Sequence, residues 1–232
     1  MRIVTYNIHR TVGSDGRPDA TRISKVLKEI DADLIVLQEV GYRHDDPAHV
    51  LNALSDALAA YVIEGVTLLD ERGHYGNAVL PRLPVAVIRR HDISATGREQ
   101  RGVIELHLNA EGVALQFIAT HLGLSAYERG IQVGKLISLL DASTAGVKIL
   151  LGDFNEWFPW SGTLRRLRRT FGRLPAVPTF PARSPILALD RIWVQPASVI
   201  ANVYAHRSPL ARSASDHLPL LATNRFVRCY SK

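Results

Sequence analysis

Cysteine is almost missing from this 232-residue chain. The single one, Cys229, excludes an internal disulfide and a thiolate-built metal site, and it suits a reducing compartment. Any chemistry must therefore use oxygen and nitrogen groups. No apolar run approaches membrane-spanning length, and the opening MRIVTYNIH has no charged region followed by a long apolar stretch, so a cytoplasmic location is expected. Repeats, low-complexity stretches, evident linkers, a long basic tail and an added nucleic-acid module are all lacking, and a single domain over 1–232 is expected. With 47% hydrophobic residues there is ample material for a core. Acidic residues are outnumbered 22 to 28, and 23 of the basic residues are arginine. Five of these fall in SGTLRRLRRTFGR (161–173). Such a segment either draws in polyanions or anionic membrane surfaces, or is the solvated face of a helix.

Hydrophobic periodicity orders the elements. A strand at 2–7 and a Gly- and Asp-rich loop at 11–18 lead to a helix over 20–30, capped by Asp19 or Thr21, and a strand at 33–38. An amphipathic helix at 47–60 precedes apolar segments at 61–69, 77–80, 84–90, 102–108 and 113–120, which read as antiparallel strands. A helix at 125–141, a strand at 147–151 buried on both faces and the arginine-rich helix come next, then apolar stretches near 187–194, 198–205 and 218–222. Mixed sheets flanked by helices follow from this order.

Several apolar segments end in a polar residue with a chemical use: Asn7, Glu39, His121, Asp153 and Asp190, while Ser215, Asp216 and His217 introduce the last strand. Ligands gather near strand ends in sheet proteins. In KILLGDFNEW (148–157), an extended backbone would turn Asp153 and Asn155 into one space.

The series TYNIH (5–9), LQEV (37–40), THL (120–122), GDFN (152–155), LDRI (189–192) and SDHLP (215–219) resembles the endonuclease/exonuclease/phosphatase superfamily, with the motifs in the family's order. The resemblance implies an α/β fold of four layers, two mixed β-sheets packed face to face with helices outside, as in deoxyribonuclease I. It also implies a divalent-metal-dependent hydrolase using Mg²⁺ or Mn²⁺. Glu39 and Asn7 would hold the metal. Where some relatives carry an acidic residue two positions after that Asn, this chain has His9, which leaves Asp216 as a further candidate ligand and His9 itself as a substrate contact. Asp153 matches the general base, Asn155 would hydrogen-bond the phosphate or nucleophile, His217 would donate to a phosphoryl oxygen with Asp190 fixing its tautomer, and His121 matches a phosphate or leaving-group contact. Asn77 is expected to line the pocket, and Arg101 to pair with Glu39 or to contact phosphate.

Nucleic acid is the expected substrate, with anionic phospholipid or a small soluble phosphate as alternatives, and an inactive binding protein as a further one. Trp157, Phe158 and Trp160 follow the base directly, and a TFP segment (179–181) stands ahead of LDRI. Aromatics beside arginines can stack bases or sit at a bilayer surface. Core packing is expected for at least one of Trp157 and Trp160.

Overall fold

Apolar residues at alternate positions of the first strand, continued by a second parallel to it, start a sheet that buries both faces. The computed structural model describes residues 1–43, 50–70 and 73–224. In chain order these form β1 (Arg2–Asn7), α1 (Ala20–Ile30), β2 (Leu34–Arg43), α2 (Val50–Leu58), β3 (Ile63–Asp70), β4 (Gly73–Pro81), β5 (Val87–Asp92), β6 (Gly102–Ala110), β7 (Val113–His121), α3 (Ala126–Asp141), β8 (Val147–Asp153), α4 (Gly162–Phe171), β9 (Asp190–Gln195), β10 (Ile200–Ala205), α5 (Ala211–Ala214) and β11 (Leu220–Asn224). The expected helix start at 47–49 and Cys229 lie outside the described residues.

One sheet has the strand order β10-β11-β1-β2-β4-β3, the other β5-β6-β7-β8-β9. Each is mixed. The parallel pairs are β1 with β2 and β7 with β8, and each is joined through a helix. Ile3, Leu34 and Val36 of the first sheet meet Ile104, Phe117, Ile149 and Ile192 of the second in the central core. Ile23, Leu27 and Leu54 cover the outside of the first sheet, and Leu136, Leu164 and Leu167 that of the second. The layers are thus helix, sheet, sheet, helix, as expected.

Caps match the sequence where they were legible. Asp19 accepts from the amides of Thr21 and Arg22 at the start of α1, and Ser125 with Glu128 forms a reciprocal capping box on α3. Two strands are longer than their apolar stretches: β2 continues to Arg43 and β4 begins at Gly73, because they resume pairing beyond an irregularity between Leu37 and Val40. That irregularity shapes the active centre.

Candidate active site

Strict alternation delivers most of the site. Asn7 lies on the face of β1 that carries Ile3, and His121 on the face of β7 that carries Phe117. Asp153 shares a face with Ile149, and Asp190 with Ile192. All four therefore face the space between the sheets, at one end of it. Glu39 breaks the rule. By alternation it would follow Ile35 and Leu37 toward the helices, but the bulge there holds it at φ 54° and returns its carboxylate to Asn7. Positive φ in a non-glycine residue is strained backbone of the kind that bulges accommodate, and here it brings the carboxylate to the other polar groups.

Gly152 has a different duty. At φ 147° its backbone runs so close to β7 that a Cβ would stand 1.8 Å from the Thr120 carbonyl oxygen. Only glycine lets β8 reach Asp153 on this path. Asn155, at φ 49°, does not share a direction with Asp153 through an extended backbone, as the sequence suggested. The strand has ended, and the two are joined because the Asn155 amide donates to Asp153 Oδ1 at 2.8 Å.

The Asn7 side-chain amide donates to Glu39 Oε1 and to Asp153 Oδ2, both at 3.0 Å, and so ties a carboxylate of each sheet to one nitrogen. His217 Nδ1 stands 2.8 Å from Asp190 Oδ2, which also accepts from Thr179 Oγ1 at 2.5 Å. The other ring nitrogen of His217 faces Asp153 at 3.8 Å. Burial alone would disfavour a charged ring, but the Asp190 carboxylate, helped by Asp153 and Asp216, pushes the His217 pKa up to about 10. At neutral pH this favours the protonated ring.

His121 is its opposite. Burial chiefly, with the Arg101 guanidinium against it, pushes its pKa down to about 4 in spite of Asp153. Arg101 lies 3.0 Å from Nδ1 and the Asn155 amide 3.0 Å from Nε2, and both groups only donate. A neutral imidazole accepts at one nitrogen, so one contact is a hydrogen bond and the other proximity; either way the ring stays uncharged.

Asp153, Asp190 and His217 each present a ligand atom within 4.8 Å of the others, a grouping that can hold a divalent metal through its carboxylates, and through the His217 ring once that ring has given up its proton. The donors fit: Asp190 Oδ1 is buried with no hydrogen-bond partner among the described residues, and Glu39 is a half-buried carboxylate with a single bond there, from Asn7. Carboxylate oxygens suit Mg²⁺ or Mn²⁺.

Other expected residues fall less centrally. Asn77 is buried and reaches the Gly102 carbonyl at 3.5 Å. Arg101 does not pair with Glu39; its ion-pair partner is Glu99 at 2.8 Å, because Glu39 is turned toward Asn7. Asn155 places its side-chain amide 3.0 Å from His121 Nε2 and donates to the Leu122 carbonyl at 2.9 Å. Asp216 and His9 are half-exposed, 3.8 Å from each other, and neither is bonded to Glu39. Neither Trp157 nor Trp160 packs in the core: with Phe158 they are exposed by 50% to 75%, since the loop leaves the site outward before α4 begins. Trp157 meets Phe180 edge-on at 6.3 Å between ring centres, and Phe180 lies 4.9 Å from the His217 ring. Sequence reasoning missed Thr179, Ser215, whose hydroxyl donates to the Asn7 carbonyl, and the buried Arg129–Glu156 pair. The TFP segment and the residue before SDHLP's aspartate were the available signals for the first two.

Residues 4–217 match the model of the Endonuclease/Exonuclease/phosphatase family. The chain is 32% identical over 245 residues to the uncharacterized protein YbhP of Escherichia coli K12, covering 96% of this chain and 95% of that protein. A family protein from Leptotrichia buccalis has the same fold with a TM-score of 0.78 at 17% identity, covering 97% of this chain and all of that one. A mannosyl-6-phosphatase from Bacteroides thetaiotaomicron does so with a TM-score of 0.70 at 17% identity, over 96% and 98% of the two chains.

Proposed function

Because the chain belongs to the endonuclease/exonuclease/phosphatase family and carries the acidic and histidine cluster of a metal-dependent phosphoester hydrolase, we propose that it is a phosphodiesterase acting on nucleic acid. The observation that carries the reading is the position of Asp153, between the Asn7 amide and the charged His217 ring. A carboxylate so placed can take a proton from water while a cation stands ready for the phosphoryl oxygens.

Each side chain then has a distinct role. Mg²⁺ or Mn²⁺, when bound, supplies positive charge to the phosphoryl oxygens. Glu39 and Asn7 would hold it, with Asp216 acting from the solvent side. The His217 ring has Nδ1 bound to Asp190 and, while protonated, offers no lone pair to a metal, so it donates its other N–H to the phosphate instead. Asp190 and Thr179 fix that ring. Neutral His121 and Asn155 hold Asp153 in place, and Arg101 keeps His121 uncharged.

The exposed aromatics favour nucleic acid. The exposed Trp157 leads through the half-buried Phe180 to the His217 ring, and base stacking on an exposed aromatic side chain is worth about 1–3 kcal/mol per base. A second reading, a phospholipid phosphodiester, is favoured by Leu124 and Ile186, aliphatic side chains more than 70% exposed that suit a bilayer better than a base. The test is hydrolysis of single- and double-stranded DNA, RNA, anionic phospholipid vesicles and bis(p-nitrophenyl) phosphate with Mg²⁺ or Mn²⁺, each beside Asp153→Asn. Nucleic-acid cleavage abolished by the substitution and by EDTA is expected. Cleavage of vesicles alone would select the second reading, and turnover indifferent to Asp153→Asn would overturn both.

A further inference from the structure

Two buried polar side chains of α3 reach under the ends of two catalytic strands. Arg129 and Gln132 stand three residues apart, on the helix face that also carries Val133 and Leu136 into the outer core, so a guanidinium and an amide enter with the apolar groups. Gln132 Oε1 accepts from the Gly123 amide at 2.8 Å. Arg129 Nη1 donates to the Gly123 carbonyl at 3.3 Å and to that of Leu124, while its Nε and Nη2 donate to the two carboxylate oxygens of Glu156 at 3.1 Å each. One planar guanidinium thus joins the segment that follows His121 to the segment that follows Asn155.

The join comes where the sheet stops holding the two segments together. The ladder between β7 and β8 ends with His121 paired to Asp153. Beyond it, the Leu122 amide donates to the Asp153 carbonyl and the Asn155 side-chain amide to the Leu122 carbonyl, both at 2.9 Å. Asn155 has a left-handed backbone, φ 49°, which asparagine tolerates but its neighbours must fix. The residue that follows it is Glu156, 3% exposed, and Arg129 is 5% exposed, so the pair stands out of water. A buried ion pair adds little stability over a well-packed apolar pair, because desolvation offsets most of the attraction. What an apolar pair lacks is direction.

We propose that Arg129 and Glu156 are positioning residues of the hydrolase: the pair fixes the turn at Asn155 and the loop after His121, and through them the angle at which Asp153 meets the attacking water. Its part in turnover rests on the phosphodiesterase reading; the clasp between the two loops does not.

The test compares Glu156→Leu, Arg129→Met/Glu156→Leu and Arg129→Lys with the wild type, beside Arg166→Gln, which frees α4 from the Gly130 carbonyl that Arg166 meets at 2.9 Å. Glu156→Leu leaves a buried cation and should lower Tm markedly, while the apolar pair should recover to within about 5 °C of wild type. On bis(p-nitrophenyl) phosphate at saturating Mn²⁺, the apolar pair should still lose kcat roughly tenfold to a hundredfold with KM within about twofold, because substrate binds while the base is misaligned. Arg129→Lys keeps the charge and loses the fork, and should lose kcat about tenfold in a stable protein. Arg166→Gln should turn over as the wild type does. In the metal-free proteins, amide exchange at 121–124 and 153–157 should be about tenfold faster in Arg129→Lys and in the apolar pair, with β1 unchanged. Wild-type kcat in either folded variant, an equal loss in Arg166→Gln, or unchanged exchange in both segments would overturn the proposal. If the apolar pair does not fold, Arg129→Lys decides. A wild type without diester turnover would count against the phosphodiesterase reading, and the exchange rates would still decide the clasp.

Discussion

Replacing Asp190 by asparagine keeps its shape and removes the charge that holds the His217 proton. The wild-type ring is raised from 6.5 to about 10, a displacement equivalent to about 5 kcal/mol of preference for the charged form. Two unit charges in near contact at an effective dielectric of 20 interact by about 4 kcal/mol, so Asp190 supplies most of that preference against the cost of burial. In Asp190→Asn the His217 pKa should fall by roughly two to three pH units. The sign for stability follows from a folded pKa above the unfolded one. The contribution is fully present below pH 6.5, declines as pH rises, and is gone above about pH 10. The stability gap between wild type and variant should therefore be widest near pH 6, on the order of 3–4 kcal/mol, and close toward pH 10. Urea unfolding in EDTA from pH 6 to 10, with NMR titration of the imidazole, measures both. A gap independent of pH, or a ring still titrating near 10 in the variant, would refute the reasoning.

Glu39→Gln should weaken Mg²⁺ binding by roughly tenfold or more in calorimetry, since one of the few hard donors is lost; unchanged affinity would remove Glu39 from the metal site. Gly152→Ala should cost about 3–5 kcal/mol in thermal or urea unfolding, from the clash with the Thr120 carbonyl and a φ that alanine resists. A loss below about 1 kcal/mol would mean that β7 and β8 separate easily. Trp157→Ala/Trp160→Ala should leave stability within about 0.5 kcal/mol of wild type, because both rings are exposed, yet raise KM for single-stranded oligonucleotides about tenfold or more. An unchanged KM would end the case for stacking.

Period-two alternation made much of the site legible: Asn7, His121, Asp153 and Asp190 are simply the last inward-facing positions of apolar strands, or the first. The same rule misdirects Glu39, whose inward turn comes from a bulge that no local signal announces. Asn155 was placed correctly but for the wrong reason, since a turn and not an extended backbone brings it to Asp153. Of the two roles expected of Arg101, the pairing with Glu39 gives way to one with Glu99, because ion-pair partners depend on which way each carboxylate has been turned. Tryptophan's apolar surface suggested burial, yet a ring at the tip of an outgoing loop has no core within reach. The arginines of α4 look alike in sequence; only packing against α3 and the preceding loop tells the tethered ones from the free.

The Asn7 amide bonds one carboxylate in its own sheet and one in the facing sheet, and His217, in the segment that leads into β11 of the first sheet, bonds Asp190 of the second. The active centre is in this sense a gauge of the distance between the sheets. That distance is set by side chains such as Ile104 and Phe117, which touch no reacting group. Hydrogen bonds tolerate changes of only a few tenths of an ångström, whereas a core methylene shifts its surroundings by as much. The inner core is therefore constrained by catalysis as well as by folding.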